Sequence, residues 1–420
     1  MSENIPEDLP ISSGEIPKAA TGARFSHVLR NRNFLLIWLS QLVSQLADRF
    51  LLYVLLIFAY QATKSNLGVS LPMLAFGIPS VLFGPGAGVL VDRFDRKILM
   101  VISALFRGLL ILAIIPFVDQ SIIFVFLISF VVFSFTQVFA PAETACIPGI
   151  VEKRDLIAAN SLFMMTLMGA SIIGIGLAAP LTTFFGNIFV LIFAAILHFI
   201  SSAATFLLTI QHRPVHKKIS VAALFEELIA GLKFIFVKPV VSYALLKMLF
   251  ATSVLATISL LAVSYSEQVL KIGAENFGYL VFSAGIGMVV GALFLGHYSH
   301  YFKKGWLVTF GFLSAGVVLL LLANTENLWV VLVLIFVLGL GNAFITAPLQ
   351  TILHEHVPPD IRGRVFGVQH MIINSAFTFP VVLFGKLADV WGLRPVIALL
   401  GVLVLLGGFF DRFISKFKDI

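Results

Sequence analysis

About twelve apolar runs, each roughly 18 to 29 residues long, limit what this chain can fold into more than any motif does. They fall at 34–62, 66–91, 98–118, 121–146, 157–181, 187–210, 240–266, 276–299, 306–323, 328–352, 364–390 and 395–414. At about 1.5 Å per residue, all but the 18-residue run at 306–323 reach across a hydrocarbon layer about 30 Å thick, and that run, at about 27 Å, is within the range of membrane helices. In that layer no water satisfies backbone groups, so continuous runs of this length specify helices, whose hydrogen bonds close within the segment. Composition points the same way. The chain is 59% hydrophobic and 12% charged, against about 25% charged residues in soluble domains. The expected fold is an all-α integral membrane protein of about twelve helices in two pseudo-symmetric six-helix bundles.

Charge sets the expected orientation. Arg93, Arg96 and Lys97, Lys153 and Arg154, Arg213, Lys217 and Lys218, Lys303 and Lys304, Arg362 and Arg364, and Arg412, Lys416 and Lys418 fall in alternate connections. The intervening connections hold only Lys64, Lys271 and Arg394. Cytoplasmic loops carry the excess of Lys and Arg, so both termini are expected in the cytoplasm, with the chain in a bacterial-type inner membrane. The net charge of +7 is accounted for by these loops and is no sign of nucleic-acid binding. Residues 1–28 read as a flexible cytoplasmic tail, acidic at first and rich in Pro and Ser. Residues 29–210 and 240–420 read as the two bundles. Residues 211–239 read as a linker: a basic run from His212 to Lys218, then an amphipathic helix over 221–237 lying at the cytoplasmic surface. Its Leu224, Leu228, Leu232, Ile235 and Phe236 cluster on one face. The single cysteine, Cys146, excludes an internal disulfide.

The most distinctive stretch is Gly84-Pro85-Gly86-Ala87-Gly88-Val89-Leu90-Val91-Asp92-Arg93-Phe94-Asp95-Arg96-Lys97, between the second and third runs. Gly84 and Gly88 share a helix face and admit a close neighbour. The pattern G-x-x-x-D-R-x-x-R-K resembles the signature loop of the major facilitator superfamily. The variant with Asp95, where most of that family has Gly, resembles its bacterial macrolide-efflux and enterobactin-exporter branch. Two more stretches look typical of the family: Arg362-Gly363-Arg364-Val365-Phe366-Gly367 after Pro358-Pro359, and Pro141-Ala142 through Pro148 followed by Ala159-Asn160-Ser161. The resemblance implies a cytoplasmic gate in which Asp92 engages Arg362 and Arg364. Gly88, Arg93, Arg96, Lys97 and Asp389 are placed with that gate. Gly385-x-x-x-Asp389 ends the eleventh run as Gly88-x-x-x-Asp92 ends the second, an internal echo of the kind pseudo-symmetric transporters carry. The alternative reading is that these arginines only set topology. The fifth run departs from the drug:proton antiporter pattern: Ile175 stands where that pattern has Pro, and Pro180 comes five residues later. Its small residues still permit tight packing against a partner helix.

No G-x-x-x-x-G-K-[ST] phosphate loop and no Cys/His metal array occurs in the sequence, so neither ATP hydrolysis nor a metal centre is expected, and no cofactor. In His354-Glu355-His356, adjacent side chains diverge by about 100°, which argues against a shared metal and suits a helix end. Charges inside the spans are the better pointers, because each is costly unless paired or hydrated. Asp48 lies about 21 Å into the first span and Arg107 about 15 Å into the third. Asp48 reads either as a proton-titrated or cation-recognising carboxylate, or as a static partner of Arg107 or Arg49. Glu143 reads as a second titrating group or as a gate element facing Arg154. His198 reads as a hydrogen-bonded core histidine or a proton shuttle, and Lys247 as shallow enough to snorkel. Gln137 completes the candidate cavity set. The leading functional expectation is proton-coupled export of an amphipathic organic solute, drug-like or siderophore, by a monomer using alternating access. The alternatives are a passive facilitator or importer, and a non-transporting receptor or lipid-handling protein.

Overall fold

The computed structural model describes residues 25–118, 120–209 and 221–410. Tail residues 1–24, the basic run from His212 to Lys218, and Arg412, Lys416 and Lys418 lie outside the described residues. The first half contains α1 (Phe25–Val28), α2 (Arg32–Thr63), α3 (Asn66–Arg93), α4 (Arg96–Ile114), α5 (Ile122–Ile150), α6 (Leu156–Phe185) and α7 (Asn187–Phe206). After α8 (Val221–Val237), the second half contains α9 (Pro239–Gln268), α10 (Phe277–Tyr298), α11 (Lys304–Leu322) and α12 (Leu328–His356). It continues through α13 (Arg362–Ser375), α14 (Phe379–Trp391) and α15 (Leu393–Phe410). Eleven segments are long and apolar enough to cross a membrane, with α13 and α14 counted as one, and α15 is a shorter apolar helix. Among the described residues this makes eleven candidate crossings and one further apolar helix.

Short polar residues set the helix starts. Asn31 accepts from Asn33 N and Phe34 N at the start of α2, and Ser65 accepts from Gly68 N at the start of α3. Asp95 caps α4 by accepting from Ile98 N at 3.1 Å, which gives the departure from Gly in the signature loop a physical role. The halves repeat one packing scheme: α3 on α5, α4 on α5 and α7, and α2 on α6 recur as α10 on α12, α11 on α12 and α15, and α9 on α14. The turns repeat as well. Gly186 between α6 and α7 has φ 83° and ψ 163°, and Gly392 between α14 and α15 has φ 88° and ψ 164°, a region essentially closed to residues with a Cβ.

Three features differ from expectation. Residues 25–28 form a helical turn, with Val28 buried and His27 Nδ1 2.6 Å from Asp155 Oδ2, so these four residues are part of the folded first half. The helix α8 packs on α13 and α9. A Cβ on Gly231 would stand 2.9 Å from the Arg364 carbonyl oxygen, and Ile235 is buried while Ile229, Leu232 and Phe236 are exposed. Protein, not membrane surface alone, therefore holds this helix. Finally, the eleventh crossing is broken. Thr378 has φ −113° and ψ −101°, and Pro380 stands in the first turn of α14, where its missing N–H cannot continue the hydrogen bonding of α13. Phe377 and Thr378, at the break, pack on Gly77 of α3.

Candidate functional site

The helices alternate in direction, so the loops with Arg93, Arg96, Lys97, Arg154, Lys304, Arg362 and Arg364 share one end, termed basic. Lys64, Lys271 and Arg394 lie at the other, the far end. The halves touch along α6–α10 and α3–α13–α14. Their close contacts lie in the far half of the molecule. Tyr53 stacks on Phe277 at 4.4 Å and bonds the Glu275 carbonyl. Gln268 donates to Tyr60 at 3.0 Å, and Ser264 bonds Asn66. Cβ atoms on Gly176, Gly278 and Gly285 would strike Phe282, Ala179 and Ile172 across the α6–α10 seam, so the small residues of the fifth run meet their partner helix here. Toward the basic end, Cβ atoms at Gly84, Gly88, Gly169, Gly363 and Gly367 would meet nothing within 4 Å among the described residues. Among the described residues, these close contacts between the halves thus lie toward the far end, and these glycines toward the basic end have free space beside them.

Asp389 lies at the far end. Its Oδ1 accepts from Asn66 N at 2.7 Å and Asn66 Nδ2 at 2.9 Å, and its Oδ2 from Leu67 N at 3.0 Å and the Ser65 hydroxyl at 2.5 Å. A carboxylate of the second half thus occupies the positive N-terminus of a first-half helix. Gly385, one turn earlier, lets the two backbones meet: its Cβ would stand 3.0 Å from the Asn66 carbonyl oxygen. This corrects the placement of Asp389 at the same gate as Asp92. The two ends of α3 separate them, because the eleventh crossing runs from the basic end to the far end.

At the basic end, Asp92 is half exposed and 3.9 Å from Arg96 of the next helix. Arg96 also donates to the Ala145 carbonyl at 2.6 Å, and Lys97 lies over the Phe206 ring at 5.3 Å. Arg362 donates to the carbonyls of His354 and Val357 at 3.2 and 3.3 Å. Among the described residues no bond joins Asp92 to Arg362 or Arg364. In the tripeptide before them, Glu355 pairs with Lys304 at 2.5 Å and His356 bonds the Ile352 carbonyl.

Inside the first half, Asp48, Arg107 and His198 come together. Arg107 Nη1 reaches Asp48 Oδ1 and Oδ2 at 3.2 and 3.1 Å and Thr136 Oγ1 at 3.3 Å. Its Nη2 donates to Ser44 at 2.9 Å, and its guanidinium lies 4.6 Å from the Phe139 ring centroid. Ser44 and Asp48 are four residues apart and share one face of α2, a spacing visible in the sequence that marks them as joint acceptors. His198 Nε2 stands 3.3 Å from Asp48 Oδ1, and its Nδ1 has no hydrogen-bond partner among the described residues.

These three side chains are buried among α2, α4, α5 and α7 and do not line the space between the halves. Helix geometry is the reason: Asp48 faces α4, α5 and α7, while its neighbour Arg49, about 100° around α2, packs on Gly174 of α6 and over Phe76 of α3. Glu143 is also buried, and its Oε1 has no hydrogen-bond partner among the described residues. Arg154, the expected partner of Glu143, pairs with Glu152 at 2.9 Å instead. Gln137 donates to the Phe133 carbonyl of its own helix. Lys247 is buried in the second half, with Nζ 2.5 Å from the Gly407 carbonyl oxygen and 4.6 Å from the Phe312 ring. An interior carbonyl thus replaces the expected snorkelling, and Lys247 is removed from the cavity set.

The model of the Major Facilitator Superfamily matches residues 37–380 and 248–415, most of the chain. The chain belongs to this superfamily. It is similar to YfiS of Bacillus subtilis (strain 168), an uncharacterized MFS-type transporter, with 27% identity over 404 residues, 91% of this chain and 93% of that one. It is also similar to macrolide efflux protein A of Streptococcus pyogenes, with 23% identity over 397 residues, 89% and 93% of the two chains. The multidrug efflux pump Tap of Mycolicibacterium fortuitum matches at 25% identity over 47% of this chain and 48% of its own. The nucleoside transporter NupG shares the fold, with a TM-score of 0.74 at 14% identity over 92% of this chain and all of that one. So does a bacterial homologue of the lysosomal transporter Spinster in its inward-facing, unoccupied conformation, with a TM-score of 0.72 at 13% identity over 94% and 98%. This superfamily protein is an integral membrane transporter, not an enzyme.

Proposed function

We propose that the protein exports an amphipathic organic solute, drug-like or siderophore, by alternating access coupled to inward proton movement. The observation that carries this reading is the asymmetry between the ends: Asp389 caps α3 at the far end, while at the equivalent Gly88-x-x-x-Asp92 end of α3 no described residue of the second half meets Gly88 or pairs with Asp92. The loops rich in Lys and Arg mark the basic end as cytoplasmic, so the mouth at that end receives solute from the cytoplasm. When the mouth closes, pseudo-symmetry brings Asp92 onto the N-terminus of α13, beside Arg362 and Arg364, as Asp389 now sits on α3. Each carboxylate then meets a positive helix end, and Arg362 and Arg364 add to the attraction. One cap releases as the other forms. The relatives named for macrolide and multidrug efflux support the export direction.

Proton coupling is assigned to the first bundle. Asp48 has both oxygens on Arg107, whereas Glu143 keeps an oxygen without a hydrogen-bond partner among the described residues. Glu143 therefore accepts and returns the proton, and the Asp48–Arg107 pair supplies the fixed counter-charge beside it. The test is dye extrusion from pump-deficient bacterial cells with and without a protonophore. Extrusion that stops with the protonophore, and that Glu143→Gln abolishes, fits the proposal. Wild-type extrusion that persists with the protonophore moves the protein to the passive-facilitator reading.

A further inference from the structure

Arg49 is a mid-span cation that the mechanism above leaves unused. It lies 17 residues after Arg32 on the 32-residue helix α2, close to the middle of the membrane. Successive helical residues diverge by about 100°, so Arg49 faces α3 and α6 where Asp48 faces α4, α5 and α7. Its stem packs on α6, where a Cβ on Gly174 would stand 2.8 Å from Arg49 Cβ. Its guanidinium carbon is 6.0 Å from the centre of the Phe76 ring of α3. Phe76 meets Phe377 of the second half edge-on at 5.6 Å, so Arg49 stands on the face turned toward that half.

The three deep cations differ in how they are satisfied. Arg107 has Asp48, Ser44 and Thr136, and Lys247 has the Gly407 carbonyl. Arg49 Nε is buried with no acceptor, and among the described residues no carboxylate lies within 4.0 Å of its guanidinium. Asp48, adjacent in sequence, is engaged by Arg107. A guanidinium held at this depth without a counter-ion is costly, and a planar fork of N–H donors is the group best matched to a carboxylate, sulfonate or phosphate.

We infer that Arg49 anchors an anion site between the halves, binding the acidic head of an amphipathic organic solute while Phe76 and Phe377 receive its apolar body. This rests on the reading that the space between the halves is the solute's route, and it narrows the solute to an organic anion. A lysine at position 49 keeps the charge and loses the fork, so it retains part of the affinity. A glutamine loses the charge.

The test uses the full chain and two dyes of one scaffold, anionic fluorescein and cationic rhodamine 123. Binding to purified wild type, Arg49→Lys and Arg49→Gln is read by fluorescence anisotropy, and transport by dye uptake into everted vesicles. Wild type is expected to bind fluorescein in preference to rhodamine 123. Arg49→Gln is expected to weaken fluorescein binding by about tenfold or more, the loss of one charge-assisted contact, with Arg49→Lys between the two. Retained monodispersity of each variant on size exclusion separates this loss from misfolding. Preference for the cationic dye, or equal fluorescein affinity in wild type and Arg49→Gln, overturns the anion site even if rhodamine 123 is exported. Fluorescein binding that depends on Arg49 without any vesicle uptake upholds the site and counts against export.

Discussion

At the scale of single residues, the Asp48–Arg107 pair is a support for the first bundle. Both groups are buried in the middle of the membrane, and Arg107 spreads its donors over Asp48, Thr136, Ser44 and the Ser103 carbonyl. Asp48→Asn removes the counter-charge and leaves the guanidinium uncompensated, which is expected to cost about 3–5 kcal/mol. Thermal unfolding of the purified protein should show this as a lower midpoint, partly restored in Asp48→Asn/Arg107→Gln. A midpoint equal to wild type would show that the pair does not hold the bundle. The depth of both charges was readable from their offsets along the apolar runs. Their pairing was not, because the rotation of one helix against another is set by packing that a single run does not display. For the same reason the sequence did not reveal which helices Asp48 and Arg49 each face.

At the scale of helices, glycine has two distinct uses. Gly339 of α12 lies against the Ala284 carbonyl of α10, so that an added Cβ would strike backbone. Gly88 of α3 meets nothing within 4 Å. Gly339→Ala is expected to destabilise the second bundle by about 1–3 kcal/mol, since neither backbone can give way cheaply. Gly88→Ala should leave stability within about 0.5 kcal/mol and slow extrusion by obstructing closure at the basic end. Thermal unfolding paired with dye extrusion separates the two, and equal unfolding midpoints for both variants would contradict the assignment. Span positions and alternating direction were legible in the apolar runs and basic loops, as was the Gly385-x-x-x-Asp389 echo. The end of the molecule at which Asp389 acts required following the eleventh crossing through to its far end. The break in that crossing had a signal in Pro380, masked because the apolar run continues across it. The docking of α8 on α13 was hidden because an amphipathic face reads alike whether it meets lipid or protein.

At the scale of the whole molecule, the account is that two repeated halves pivot about the α6–α10 and α3–α13–α14 seams, with matched carboxylate caps at opposite ends of α3. The far cap is formed in this structure, with four hydrogen bonds to one carboxylate. Asp389→Asn weakens it and shifts the population toward an open far end and a closed basic end. The most direct measurement is the distance between spin-label pairs by double electron–electron resonance, in a Cys146→Ala background that removes the only native cysteine. One pair, at Gln61 and Asn324, spans the far end, and the other, at Phe94 and His300, spans the basic end. The account predicts that Asp389→Asn lengthens the far-end distance and shortens the basic-end distance together. A far-end distance that lengthens while the basic-end distance stays unchanged, or no change in either, would contradict the coupling of the two ends.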